Sequence, residues 1–151
     1  MDSTGHFARF FYFYTLIIAP MNLPLHRCPW PGDYEPMIRY HDQEWGLPVH
    51  DDRKLFEFMV LDAFQAGLSW RTMIAKRENF RKAFDDFDYH RIVAYTPEKV
   101  QSLLLDEGII RNRLKIESTL TNAAAFIKTS GEFGSFDAYL WRFVDGKPIV
   151  N

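Results

Sequence analysis

Residues 55–84, LFEFMVLDAFQAGLSWRTMIAKRENFRKAF, decide the architecture. Leu55, Phe56, Met59, Val60, Ala63 and Phe64 recur at three-and-four spacing, and Trp70, Met73, Ile74, Phe80 and Phe84 do so again, which is the period of a helix with one buried face. Gly67 separates the two runs, so the stretch predicts two amphipathic helices joined by a short turn. Downstream the pattern continues. Asp88 caps a short helix through Ile92 and Val93, and Thr96-Pro97-Glu98 opens another that carries Val100, Leu103 and Leu104 and stops at Gly108. A fifth helix runs from about Asn112 through Ile116, Leu120, Ala123, Ala124 and Ile127 to a stop at Gly131. Ser135 opens a sixth through Tyr139, Leu140 and Phe143 to Gly146. No strand period, repeat or low-complexity tract competes, so the chain reads as one all-α domain preceded by a loop-rich segment from about Leu23 to Val49.

At 151 residues with 47% hydrophobic and 25% charged side chains, the chain is long enough for one true core, and disorder is excluded for most of it. Lys and Arg number 18 against 20 Asp and Glu, so the chain does not coat nucleic acid by bulk charge; a nucleic-acid partner has to be met by a local patch. A single cysteine excludes an internal disulfide framework and fits a reducing compartment, which points to the cytoplasm. Upstream, the run FARFFYFYTLIIA at residues 7–19 carries one charge and meets Pro20, too short to span a bilayer untilted. Residues 1–22 read as a hydrophobic extension outside the fold, with a secretion signal or surface anchor as the alternatives, and residues 23–151 as the domain. No membrane partner is expected of that domain, and it is expected to be a monomer.

Chemistry-bearing side chains crowd the loop-rich segment. Cys28, Trp30, Tyr34, Tyr40, His41, Asp42, Glu44 and Trp45 fall within eighteen positions without periodicity, which suggests a site wall. Cys28 and His41 are of zinc-ligand type, but their separation is not specific, and taken alone they read as a free buried thiol and a hydrogen-bonded histidine. Asp62 lies between Met59, Val60 and Phe64: such a carboxylate either reaches solvent or is a buried acid facing a pocket, available to a cationic ligand. Trp70 stands at helical spacing, as a core residue or a stacking platform. Two basic clusters follow, Arg71 to Lys82 and Arg111 to Lys115, whose plain meaning is a solvated face. Beside the second, Asp106-Glu107-Gly108-Ile109-Ile110-Arg111 brings a glycine and backbone N–H groups to a helix start, an arrangement that grips phosphate.

Cys28-Pro29-Trp30, Tyr40-His41-Asp42-Gln43-Glu44-Trp45-Gly46, Phe64 through Trp70, Lys76-Arg77-Glu78-Asn79-Phe80 and Gly108 through Arg113 resemble, in order and spacing, the constitutive 3-methyladenine DNA glycosylase I family. The resemblance spans roughly His26 to Asn151. It implies a helix-hairpin-helix DNA glycosylase fold and a base-excision repair enzyme that cuts the N-glycosidic bond of 3-methyladenine in alkylated double-stranded DNA without cutting the strand. By the same resemblance Trp30, Tyr40 and Trp70 are the rings that receive the flipped base, and Asp62 stands at the pocket carboxylate. Gly67 and Leu68 form the wedge, Gly108, Ile109, Ile110, Arg111 and Arg113 hold the phosphate backbone, and Cys28 and His41 match two of four structural zinc ligands. Stacking and cation–π attraction suit a base that methylation has made cationic.

Three features depart from the family pattern. Asp62 replaces a glutamate, shortening the reach by one C–C bond of ~1.5 Å, and Met37 stands where a tyrosine is common. The sequence ends at Asn151, with no histidine after His90 and no cysteine after Cys28. The expectation from these is a fold incomplete at the C-terminus, with two of four zinc ligands, and a fragment that binds DNA without excising base is the alternative.

Overall fold

The computed structural model describes residues 27–149, and the expected extension over residues 1–22 lies outside them. Among the described residues there is no strand. Seven helices follow in order: α1 Glu35–Gln43, α2 Asp52–Gln65, α3 Trp70–Ala83, α4 Tyr89–Ile92, α5 Pro97–Leu105, α6 Arg113–Phe133 and α7 Phe136–Trp141. Short 3₁₀ turns at Asp85–Phe87 and Arg142–Val144 follow α3 and α7. The all-α expectation holds, and α2 to α7 begin where the capping residues place them. Asp51, Ser69, Asp88, Thr96, Asn112 and Ser135 each accept a backbone N–H from the first turn they open.

α6 is the axis of the fold, packing against α2, α4, α5 and α7, while α3 lies across α2 and carries α1 on its other side. The buried faces are the ones the period marks. Phe56, Val60, Leu61 and Phe64 of α2 meet Met73, Phe80 and Phe84 of α3 and Ile116, Ala123 and Phe126 of α6. Phe56 stands edge-on to Phe126 at 5.1 Å between ring centroids, and Phe64 edge-on to Phe80 at 4.8 Å, the offset geometry that aromatic quadrupoles favour. Each of these side chains except Ala123 contributes about 1.5–3 kcal/mol by leaving water.

Three boundaries differ from the sequence reading. The loop-rich segment contains α1, which opens on Pro36 with Glu35 in the first turn and turns Met37 inward; its polar and aromatic face hid the period. α6 runs through Gly131 and stops only at Gly134, whose φ of 87° is the left-handed conformation that closes a helix. Gly131 is helical, so a glycine alone did not end it. The last helix ends at Trp141 and tightens into the 3₁₀ turn rather than continuing to Gly146.

One long-range cap ties the two ends of the domain together. Asp52, in the first turn of α2, accepts the backbone N–H groups of Phe136 and Asp137 at 2.9 and 2.8 Å, neutralising donors that α7 cannot satisfy itself. Asp52→Ala is expected to cost about 1–2 kcal/mol of stability, read as a lower urea midpoint with an unchanged m-value.

Candidate nucleic-acid interface

α1 and the start of α3 gather the aromatic side chains into one cluster. The ring centroid of Tyr40 lies 5.4 Å from that of Trp70 and 6.3 Å from that of Trp30, and Trp30 lies 5.2 Å from Trp45. Trp30 is 47% exposed, so the cluster is open to solvent on that side. Trp70 Nε1 is buried and finds no hydrogen-bond partner among the described residues. Asp62 lies close enough to Tyr40 for its charge to act on the phenol. It is exposed, not the buried acid that one reading of the sequence allowed, and within the described residues no hydrogen bond or ion pair reaches its carboxylate. Partial desolvation still raises its pKa above the ordinary carboxylate value. Burial first, and then the Asp62 charge, raise the Tyr40 hydroxyl as well.

Of the three expected rings only Tyr40 also lines the cleft of about 340 Å³ between α1 and α3, whose walls include Tyr34, Ile74, Arg77 and Arg81. That cleft is polar and belongs to the support of α1. Arg77 is buried there, its two Nη atoms donating to Glu44 Oε1 and Oε2 at 2.8 and 2.9 Å while Nε donates to Glu57 at 2.7 Å. Lys54 and Arg81 complete the network on the same two carboxylates. A solvated face describes only part of the first basic cluster: Arg71 and Lys82 are exposed, whereas Arg77 is buried and Arg81 half-buried on internal carboxylates. Sequence reasoning gave Glu44 and Glu57 no structural role; a glutamate inside the apolar run LFEFMV was the signal for the second.

The turn between α2 and α3 is built to stand out. Gly67 takes φ of 84°, Leu68 N–H donates to Gln65 O at 2.6 Å, and the Gln65 amide returns a hydrogen bond to Leu68 O. Leu68 is 38% exposed at its tip. In the hairpin after α5, Gly108 N–H donates to Asp106 Oδ1, and a Cβ on Gly108 would lie 2.9 Å from that oxygen and 3.1 Å from Asn79 Cβ. Only glycine fits so close an approach. Arg111 and Arg113 are exposed, as a phosphate grip needs, but Ile109 is 3% exposed and packs in the core, so it anchors the hairpin rather than touching a partner. Ile110 is half-buried. Lys115 corrects the second basic cluster in turn, since its ammonium donates to the carbonyls of Phe64 and Ala66 at 2.8 and 2.7 Å.

Cys28 and His41 do meet, with Sγ 3.1 Å from Nε2, and the other ring nitrogen of His41 lies 2.8 Å from Asp42 Oδ1. A carboxylate behind the imidazole is how metal-binding histidines are oriented. A tetrahedral zinc site takes four donors, and no group of three or more His, Cys, Asp or Glu side chains of suitable geometry is found among the described residues. Two such donors do not close a site.

Burial alone raises the Glu44 carboxyl, but the hydrogen bonds from Arg77 and then Lys54 outweigh it and hold the pKa at about 2, against an ordinary 4.5. The stabilisation from this pair is complete above the unfolded value and is lost as pH falls through about 2, so denaturant midpoints are expected to drop steadily below pH 4.5. Arg77→Met leaves Glu44 to Lys54 alone and Glu57 to Lys54 and Arg81, and is expected to cost up to about 3 kcal/mol while flattening that acid limb, both read from urea titrations across pH.

A family model described as methyladenine glycosylase matches residues 30–151. The chain is 43% identical over 125 residues to a DNA-3-methyladenine glycosylase of Haemophilus influenzae, covering 83% of this chain and 68% of that protein. It resembles the crystal structure of a 3-methyladenine DNA glycosylase I with a TM-score of 0.78 at 46% identity, over 83% of this chain and 69% of the other. A second solved structure, a 3-methyladenine DNA glycosylase I in complex with 3-methyladenine, matches with a TM-score of 0.77 at 32% identity, over 80% and 65%. The chain thus spans about two thirds of the length of the proteins it matches.

Proposed function

Because the chain belongs to the methyladenine glycosylase family, we propose that it hydrolyses the N-glycosidic bond of 3-methyladenine in alkylated double-stranded DNA, acting as a cytoplasmic monomer and leaving the strand uncut. The observation that carries this reading is the Asp62 carboxylate, unpartnered within the described residues, raised in pKa and close enough to Tyr40 for its charge to act on the phenol, one turn of α2 ahead of the Gly67–Leu68 turn. A base in a duplex is reached only after it is flipped out. Leu68 would fill the gap it leaves, as apolar wedges do at unstacked steps, while Arg111 and Arg113 hold the backbone.

Methylation at N3 gives the base a positive charge, which the ring faces of Trp30, Tyr40 and Trp70 attract and the Asp62 carboxylate pairs with. The same charge weakens the bond to the sugar. A water oxygen replaces N9 at C1′, its proton passes to solvent, and the base leaves neutral, so catalysis asks little of a general base. Cys28 and His41 are proposed as two donors of a structural zinc site whose other donors come from outside the described residues, and no step of the reaction passes through it. No helix among the described residues is long and apolar enough to cross a membrane.

The test is release of 3-methyladenine from methylated duplex by single-turnover assay. Asp62→Asn removes a charge-assisted hydrogen bond of about 1.5–3 kcal/mol and is expected to slow release by roughly 10–100-fold; Asp62→Glu, with its longer reach, is expected to match or exceed wild type. The wild-type rate should also fall as pH drops through the raised Asp62 pKa, since the ionised form is the active one. Absence of release by wild type, with equal affinity for normal and abasic duplex, supports the DNA-binding alternative instead.

A further inference from the structure

We propose that Lys115 and Lys76 are positioning residues, two crossed ammonium clamps that hold the wedge turn at residues 65–69 and the hairpin at residues 106–112 at a set spacing. The inference rests on the glycosylase reading above and concerns how its two DNA-facing parts are kept in register.

The last carbonyls of a helix have no partner within it. At the end of α2 two of them, Phe64 O and Ala66 O, are taken by one cation, Lys115 Nζ at 2.8 and 2.7 Å, which comes from the first turn of α6 some fifty positions later. A positive charge there also complements the negative end of the α2 macrodipole. Lys76 runs the other way. From α3, which starts directly after the wedge turn, its ammonium donates to Glu107 O at 3.0 Å and Gly108 O at 3.2 Å, and the Asn79 amide adds a hydrogen bond to Gly108 O. The unit α2–turn–α3 therefore receives one lysine from the hairpin unit and gives one back.

The exposed parts bury too little to place themselves. Leu68 presents its side chain outward, and Arg111 and Arg113 are exposed. Their separation is fixed by what lies behind them, Ile109 in the core and the two lysines. A lysine in a basic cluster next to a hairpin invites assignment to phosphate, but these two spend their donors on main-chain carbonyls, and an ammonium has only three.

The experiment uses the full chain and the variant Lys115→Met, which keeps the stem and removes the donors. Three readouts are compared with wild type: affinity for undamaged duplex against salt, affinity for duplex carrying a tetrahydrofuran abasic analogue, and single-turnover release of 3-methyladenine. The clamp predicts an unchanged salt slope on undamaged duplex, about a tenfold loss of preference for the abasic duplex, and release slowed by roughly 10–100-fold, the effect of a misplacement near 1 Å. Free 3-methyladenine should bind as in wild type. Lys76→Met is expected to behave alike, and Lys115→Arg to recover most of the loss. A salt slope lower by about one, with equal loss on both duplexes, makes Lys115 a phosphate contact and overturns the proposal; so does a Lys115→Met chain that matches wild type throughout. A wild-type chain that releases no base yet prefers the abasic duplex refutes the glycosylase reading alone, because that preference still reports on the clamp; a wild-type chain without the preference overturns the clamp as well.

Discussion

The recognition wall of this domain stands on a buried guanidinium. α1 is a nine-residue helix without a side-chain cap at its start, and by itself it is too short to persist in water. Two things hold it: Met37, pressed against the body of the domain, and Glu44 just past its end, gripped by both Nη atoms of Arg77. Arg77 in turn is fixed by Glu57 of α2, so three elements meet at one charge. Taking these groups out of water is expensive and repays little net stability. Its return is geometric: Tyr40 and His41 sit on α1, and they keep their places against Trp70 and Trp30 only while that helix keeps its own.

The chain distributes its cations by the same logic. Arg77 and Arg81 go to buried or half-buried carboxylates, Lys76 and Lys115 to orphaned carbonyls, and Arg111 and Arg113 reach outward. A net charge of −2 is compatible with DNA because the surface offered to phosphate is small and local. Few ionic contacts imply a shallow dependence of binding on salt. Under the proposed function, selectivity then falls to the ring cluster, where a cationic base would meet ring faces and one carboxylate.

Most of the helical framework was legible in the sequence because period and caps agree there: Asp88, Thr96, Asn112 and Ser135 each cap the helix they announce. α1 was not, since its inward face is one methionine among aromatic and polar residues, and a site wall hides the very period that marks a core helix. Gly131 misled because a glycine ends a helix only when the chain needs a left-handed residue, and that residue is Gly134. The motifs YHDQEWG and QAGLSW marked the family and the gathered rings. What they did not reveal is the internal use of Lys76, Arg77 and Lys115, because a charge pattern says how many cations lie along a segment and nothing of the carbonyl or carboxylate each will meet across the fold. Ile109 belongs with these: its place in a DNA-gripping hairpin read as contact, and burial makes it an anchor.

The central claim is that the open ring cluster around Asp62 receives the methylated base, and the indole N–H resonances of the four tryptophans test it most directly. Trp141 serves as the internal control, because its Nε1 is already committed to Val49 O on another face of the domain, whereas Trp70 Nε1 has no partner among the described residues. On titration with free 3-methyladenine the account predicts saturable shifts at Trp70 and Trp30, lost in Asp62→Asn, with Trp141 unmoved. Shifts confined to Trp141, or equal shifts on titration with unmethylated adenine, would contradict it.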